Sequence, residues 1–170
     1  MSGNIEIKAR AANFRIQLEK AEKAFGPPAE TLEQEDTFFR VSHGRLKLRD
    51  FGNGRGQLIF YRRSGERGPR RSDYIIYPAQ ELEGLKTVLS RALGVLGIVR
   101  KKRTVFLPEN TRVHFDRVHG LGEFIEIEVL LDGGLTAAEG ERLVRRWMAV
   151  LDIRPESLVP EAYVDLLLRR

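Results

Sequence analysis

The 170 residues carry 29 Lys plus Arg against 24 Asp plus Glu, a net charge of +5, with 42% hydrophobic residues and no cysteine. That length suits a single domain, 1–170, with its own core, and the balance excludes a disordered chain, a disulfide scaffold and thiol chemistry. No apolar run reaches the roughly 18 residues of a membrane span, and the N-terminal "MSGNIEIKAR" lacks a signal-peptide plan, so the expectation is a cytoplasmic protein. Its positive charge by itself favours an anionic partner: nucleic acid, a nucleotide, polyphosphate or an anionic membrane surface, with no membrane partner expected from the charge arrangement described below.

The first element is a strand, "NIEIKAR": Ile5 and Ile7 share one phase, and Glu6, Lys8 and Arg10 the other. Phe14, Leu18, Ala21 and Phe25 recur at helical spacing, and "GPP" at 26–28 stops that helix. "EDTFFRV" and "GRLKLRD" read as strands joined at "SHG". "GNGRG" turns into the strand "QLIFYRR", followed by a basic loop, "SGERGPRR", and the strand "SDYIIYP".

Leu82, Leu85, Leu89 and Leu93 mark an amphipathic helix ending at Gly94. "IVRKKRTVFL" and "TRVHFDRV" are strands around a turn at "PEN", followed by the strand "EFIEIEVLL". Thr136 and Glu139 form a capping box opening a helix with Leu143, Trp147 and Val150, and the tail "YVDLLL" is short helix or irregular. Short hairpin loops make the sheet mainly antiparallel, in an α+β domain.

The polar phases carry the chemistry. Glu126 and Glu128 point the same way, roughly 7 Å apart along their strand, an arrangement that solvent tolerates and a divalent cation uses. Glu6 and Lys8, then Arg45, Lys47 and Arg49, Arg63, Lys101 and Arg103, and Arg112, His114 and Asp116 supply the other polar positions. A solvated face mixes charge signs, whereas here whole strands present only cations and another presents only carboxylates. A polyphosphate with a divalent cation would fill the space between them. Closing the sheet into a barrel turns this face inward and packs the apolar face, with Ile5, Ile7, Leu46, Leu48, Ile125 and Ile127, under the helices.

Taken in order, "NIEIKAR", "RLKLR", "YRR…GPRRSDY", "KKR", "RVHFDRVHGLGEFIEIEV" and "YVDLL" resemble the CYTH superfamily of class IV adenylyl cyclases, thiamine triphosphatases and related triphosphate tunnel metalloenzymes. The resemblance implies a closed antiparallel β-barrel of about eight strands with helices outside, binding a triphosphate with Mg2+ or Mn2+. It implies Glu6, Glu126 and Glu128 as metal ligands, with Asp116 a weaker candidate. Phosphate contacts fall to Arg45, Lys47, Lys101, Arg103 and Arg112, joined by Arg49 and Arg63 from the polar phases. The family signature E-x-E-x-K reads Asn4, Glu6, Lys8 here, so an uncharged amide stands at the first carboxylate and a second metal position is weakened.

Two reactions use such equipment: hydrolysis of a triphosphate, or cyclisation of ATP to cyclic AMP. Lys8 is the catalytic candidate, as general base or as charge clamp, with the clamp preferred. ATP, inorganic triphosphate and thiamine triphosphate stand as alternative ligands, and a homodimer is compatible with the pattern. The rival class is a non-catalytic polyphosphate, nucleotide or nucleic-acid module that keeps the tunnel. Nucleic acid is disfavoured because no basic stripe with interleaved aromatics is present. His43 and His119 read as loop residues without zinc spacing, and "GNGRG" opens no helix, so it is no phosphate cradle.

Overall fold

The computed structural model describes residues 2–170. The alternating segments form eight strands: β1 Ser2–Arg10, β2 Glu30–Phe39, β3 Arg45–Asp50, β4 Gly56–Arg63, β5 Arg70–Ala79, β6 Val95–Phe106, β7 Thr111–Val118 and β8 Gly122–Leu130. All neighbours pair antiparallel, in the order β1-β5-β4-β3-β2-β6-β7-β8, and β1 pairs with both β5 and β8. The sheet is therefore a closed barrel without a free edge.

Four helices lie outside it: α1 Phe14–Phe25, α2 Leu82–Leu93, α3 Ala137–Val150 and α4 Tyr163–Leu168. Thr136 caps α3 with the expected reciprocal box, its side chain accepting from Glu139 N while Glu139 reaches back. The main core lies between β1, β7 and β8 and the helices α1 and α3. There Ile5, Ile7, Ile125 and Ile127 are buried against Phe14, Val144 and Trp147. Leu46 and Leu48 pack with Leu82, Leu85 and Leu89 of α2. The apolar phase thus faces the helices, as the alternation predicts. Among the described residues no helix is long and apolar enough to cross a membrane.

Several strands begin earlier than the sequence pattern indicates, three of them in ways that matter for the site. β2 starts at Glu30 rather than at "EDTFF", β5 at Arg70 within the expected basic loop, and β6 at Val95. In "ETLEQED" both faces are largely polar, with Leu32, Gln34 and Asp36 turned into the barrel, so alternation gives no contrast. Ladder pairing with β6, from Glu30↔Val105 to Phe38↔Gly97, makes it a strand.

Chain closure comes from α4. It packs with Phe38, Val99 and Phe124 through Tyr163 and Val164. Gly97 of β6 permits this close approach, since a Cβ there would meet Val164 Cγ2 at 2.8 Å.

Candidate functional site

The barrel encloses a cavity of about 290 Å3 lined by inward residues of all eight strands and by Ala162 and Tyr163. Its cation-rich side is organised around Asp36 on β2. Lys47 Nζ donates to Asp36 Oδ2 at 2.9 Å, Arg49 Nε to Oδ1 at 2.7 Å, and Lys101 Nζ to Oδ2 at 3.1 Å. Burial alone would raise the Asp36 pKa, but Arg49, Lys101 and Lys47 together hold it well below the usual carboxylate range. Burial, reinforced by Arg49, pushes Lys47 down to about 7, against the pull of Asp36. Lys101 is lowered too, chiefly by burial.

The carboxylate side is built on β1 and β8. Glu6 accepts from Arg63 Nη1 at 3.0 Å, and Arg70 Nε lies 3.5 Å away. Glu126 Oε2 accepts from Arg103 Nη2 at 2.6 Å, and its Oε1 lies 3.4 Å from Lys8 Nζ. Glu128 Oε2 is 2.9 Å from Arg112 Nη2. Burial opposes the ionised form of both glutamates. Arg103 and Lys8 nonetheless hold Glu126 well below its ordinary value, and His114 and Arg112 lower Glu128. His114, buried beside them on β7, is itself lowered by burial and by Arg103, which favours neutral imidazole. Among the described residues, His114, Glu126 and Glu128 bring one ligand atom each to within 4.8 Å of one another.

At one end the C-terminal segment enters the barrel. Lys8 Nζ donates to Glu161 O at 2.9 Å and sits 4.0 Å above the Tyr163 ring. Arg70 Nη1 donates to Pro160 O at 2.6 Å, Tyr163 Oη to Asp116 Oδ2 at 2.8 Å, and Arg45 Nη2 to Asp165 Oδ1 at 2.7 Å. Burial outweighs Glu126 and brings Lys8 down to about 8. Strand register sets the opposite end of the cavity near Leu32, Phe51, Ile76 and Leu107, where apolar side chains join Glu30 and Gln57 in the lining and Leu107 is 58% exposed.

Glu6, Lys8, Lys47, Arg49, Arg63, Lys101, Arg103, Arg112, Glu126 and Glu128 all line this one cavity, as does His114. Arg45 and Asp116 do not join them. Arg45 lines an adjoining pocket with Arg62 and Asp165. Asp116 is fully buried behind the lining, held by Arg103 at 2.5 and 2.7 Å and by Tyr163. The expected segregation of charge by strand is incomplete, because Asp36 places a carboxylate among the cations and pairs them internally. Asp36 was not legible as a site residue, since it adjoins Glu35 and only pairing with β3 and β6 fixes which of the two turns inward. Arg70 lies in the segment whose Gly, Pro and basic composition predicts a loop. Tyr163 was visible as part of the tail but not as a wall of the cavity.

The CYTH domain sequence model matches residues 3–163, and the chain belongs to that family. Among solved structures, PH1012 from Pyrococcus horikoshii OT3 superposes with a TM-score of 0.86 at 25% identity, covering 96% of this chain and 98% of that one. A conserved hypothetical protein from Pyrococcus furiosus follows at TM-score 0.81 and 24% identity, covering 96% and 99%. HpAC1 from Hippeastrum, described by a dominant triphosphatase activity, shares the fold at TM-score 0.68 and 16% identity, covering 99% and 95%. No curated protein matches the chain.

Proposed function

We propose that the tunnel binds a triphosphate with a divalent cation, Mg2+ or Mn2+, and turns it over, by hydrolysis in the first instance. The observation that carries this reading is the opposition, within one barrel cavity, of Lys47, Arg49 and Lys101 to Glu6, Glu126 and Glu128. The donor set fits a divalent cation, because carboxylate oxygens of Glu126 and Glu128 converge with a buried His114 nitrogen that has no hydrogen-bond partner. Such a cation, when bound, screens phosphate charge as the transferring group moves.

The protein's own part is positioning and electrostatics. Lys47, Arg49 and Lys101 offer donors to phosphate oxygens, which compete with Asp36 for them. Arg63, Arg103 and Arg112 surround the carboxylates and meet the remaining oxygens. Lys8 has a pKa near 8, yet its ammonium is committed to Glu161 O and faces Glu126, so we assign it as a clamp on charge rather than a base. Glu6, Glu126 and Glu128 hold the cation. An organic group on the triphosphate would lie toward Leu32, Phe51, Ile76 and Leu107. The triphosphatase description of HpAC1 favours hydrolysis over cyclisation.

The second reading, a binding module without turnover, is favoured by Asn4 at the position where the E-x-E-x-K pattern has its first glutamate. One assay separates the readings. ATP, inorganic triphosphate and thiamine triphosphate are each supplied with Mg2+ or Mn2+, and phosphate, pyrophosphate and cyclic AMP are scored separately. Cation-dependent phosphate release, lost in Glu126→Gln, supports the hydrolase. Cyclic AMP with pyrophosphate indicates the cyclase, and tight binding without product indicates the module.

A further inference from the structure

We propose that His114 is a metal ligand, joining Glu126 and Glu128 in a set with one nitrogen and two carboxylate oxygens that prefers first-row transition dications, Mn2+ among them, over Mg2+. This rests on the reading of the tunnel as a metal-assisted triphosphate site and narrows the cation it takes.

The geometry carries the argument. His114 is only 5% exposed and its Nδ1 is buried without a hydrogen-bond partner. That nitrogen lies 3.7 Å from Glu126 Oε2 and 3.8 Å from Glu128 Oε1. Both separations are too long for a hydrogen bond. They leave room for a cation whose bonds to nitrogen and carboxylate oxygen run about 2.0–2.2 Å, with slight closure of the side chains. The three residues come from adjacent β7 and β8, where His114 pairs directly with Glu126 and Arg112 with Glu128, so the ladder fixes their spacing.

A second orphan points the same way. Asn4 on β1 lines the same cavity, is 2% exposed, and its Oδ1 also lacks a partner. It sits one inward position beyond Glu6, which is paired with Glu128, and can lend a neutral oxygen directly or through water. Arg103 shares Glu126 Oε2, and Arg112 holds Glu128 through Oε2, leaving Glu128 Oε1 turned to His114.

The metal preference follows from donor type. Carboxylate and water suit Mg2+ and Mn2+ alike, whereas an imidazole nitrogen adds affinity along the first transition row and little for Mg2+. A lysine or arginine at the same position would repel a cation, and a purely structural histidine would spend its buried nitrogen on a hydrogen bond.

The test uses the full chain with Mn2+ and Mg2+ alone, and repeats the titrations with inorganic triphosphate present. Calorimetry gives the two affinities, and pulsed EPR on bound Mn2+ reports coupling to a directly bound 14N. The expected result is one imidazole coupling in the natural chain. His114→Gln should abolish it and reduce the Mn2+ to Mg2+ affinity ratio by at least about tenfold, the lower end of what even an outer partner of a metal ligand contributes. Bound Mn2+ without nitrogen coupling, or an unchanged ratio in folded His114→Gln, overturns the inference and leaves the triphosphate reading standing. If His114→Gln fails to fold, the EPR of the natural chain decides alone. Failure of either cation to bind, with or without inorganic triphosphate, removes both the inference and the metal-assisted reading.

Discussion

Lys47 donates to Asp36 at 2.9 Å diagonally across the β2–β3 pair, where Asp36 is paired with Arg49, and the lysine, buried beside Arg49, has its pKa brought down to about 7. Near pH 8 this lysine therefore carries less charge in the free protein than an exposed lysine does. A bound polyanion favours the charged form, so binding at pH 8 should take up protons at Lys47. Calorimetric titration of inorganic triphosphate in buffers of different ionisation heat measures that uptake. Lys47→Gln should lower it relative to the natural chain, a difference from which the ligand's own protonation cancels. Equal proton linkage in the two proteins would remove Lys47 from the anion site. The stability sign is the reverse: the folded pKa lies below the unfolded 10.5, so the lysine's contribution improves as pH rises between about 7 and 10.5.

Arg103 and Arg112 should respond differently to loss of charge. Arg103 is buried between Asp116 and Glu126, so Arg103→Gln leaves the fully buried Asp116 and the partly buried Glu126 short of their cation and should destabilise the fold by about 3–5 kcal/mol in urea unfolding. Arg112, with a side chain 31% exposed and one bridge to Glu128, should be worth only about 1 kcal/mol to stability. Arg112→Gln should nevertheless weaken triphosphate binding measurably. Equal stability losses in the two variants would contradict this division.

The C-terminal segment is tied to the barrel by polar contacts as well as by packing. Tyr163→Phe keeps the ring above Lys8 and removes only the hydroxyl that donates to Asp116. The expected cost is about 1–3 kcal/mol, because the hydrogen bond is buried and its acceptor is charged. Chemical denaturation of the two proteins measures it. A change near zero would mean that Arg103 alone satisfies Asp116.

The end of the cavity near Leu32, Phe51, Ile76 and Leu107 predicts a split between ligands. Leu107→Asp places a carboxylate beside an organic triphosphate's non-phosphate group, at a position already 58% exposed, so folding should be little affected. Affinity for ATP should fall by more than affinity for inorganic triphosphate. Equal losses for the two would put the organic group elsewhere.

Strand and helix identity, the antiparallel class and the inward phase of Glu6, Lys8, Lys47, Lys101, Glu126 and Glu128 were legible in the sequence. Each depends on a period of two or 3.6 within one segment, which neighbouring residues carry by themselves. The inward polar face was likewise legible, because the opposite phase holds the apolar residues that must meet helices. What tertiary structure alone decided is which charges neutralise one another. Asp36 gathers cations from β3 and β6, residues 11 to 65 positions away in sequence, and no local pattern encodes that convergence. Asp116 shares the phase of Arg112 and His114 yet lies behind the lining, because Tyr163 from the far end of the chain covers it. Arg45 shares the phase of Lys47 and Arg49 but sits beyond the cavity, where it meets Asp165. Periodicity assigns a side chain to a face. Its depth along the barrel axis follows from the register of strands distant in sequence and from the segment that enters one end.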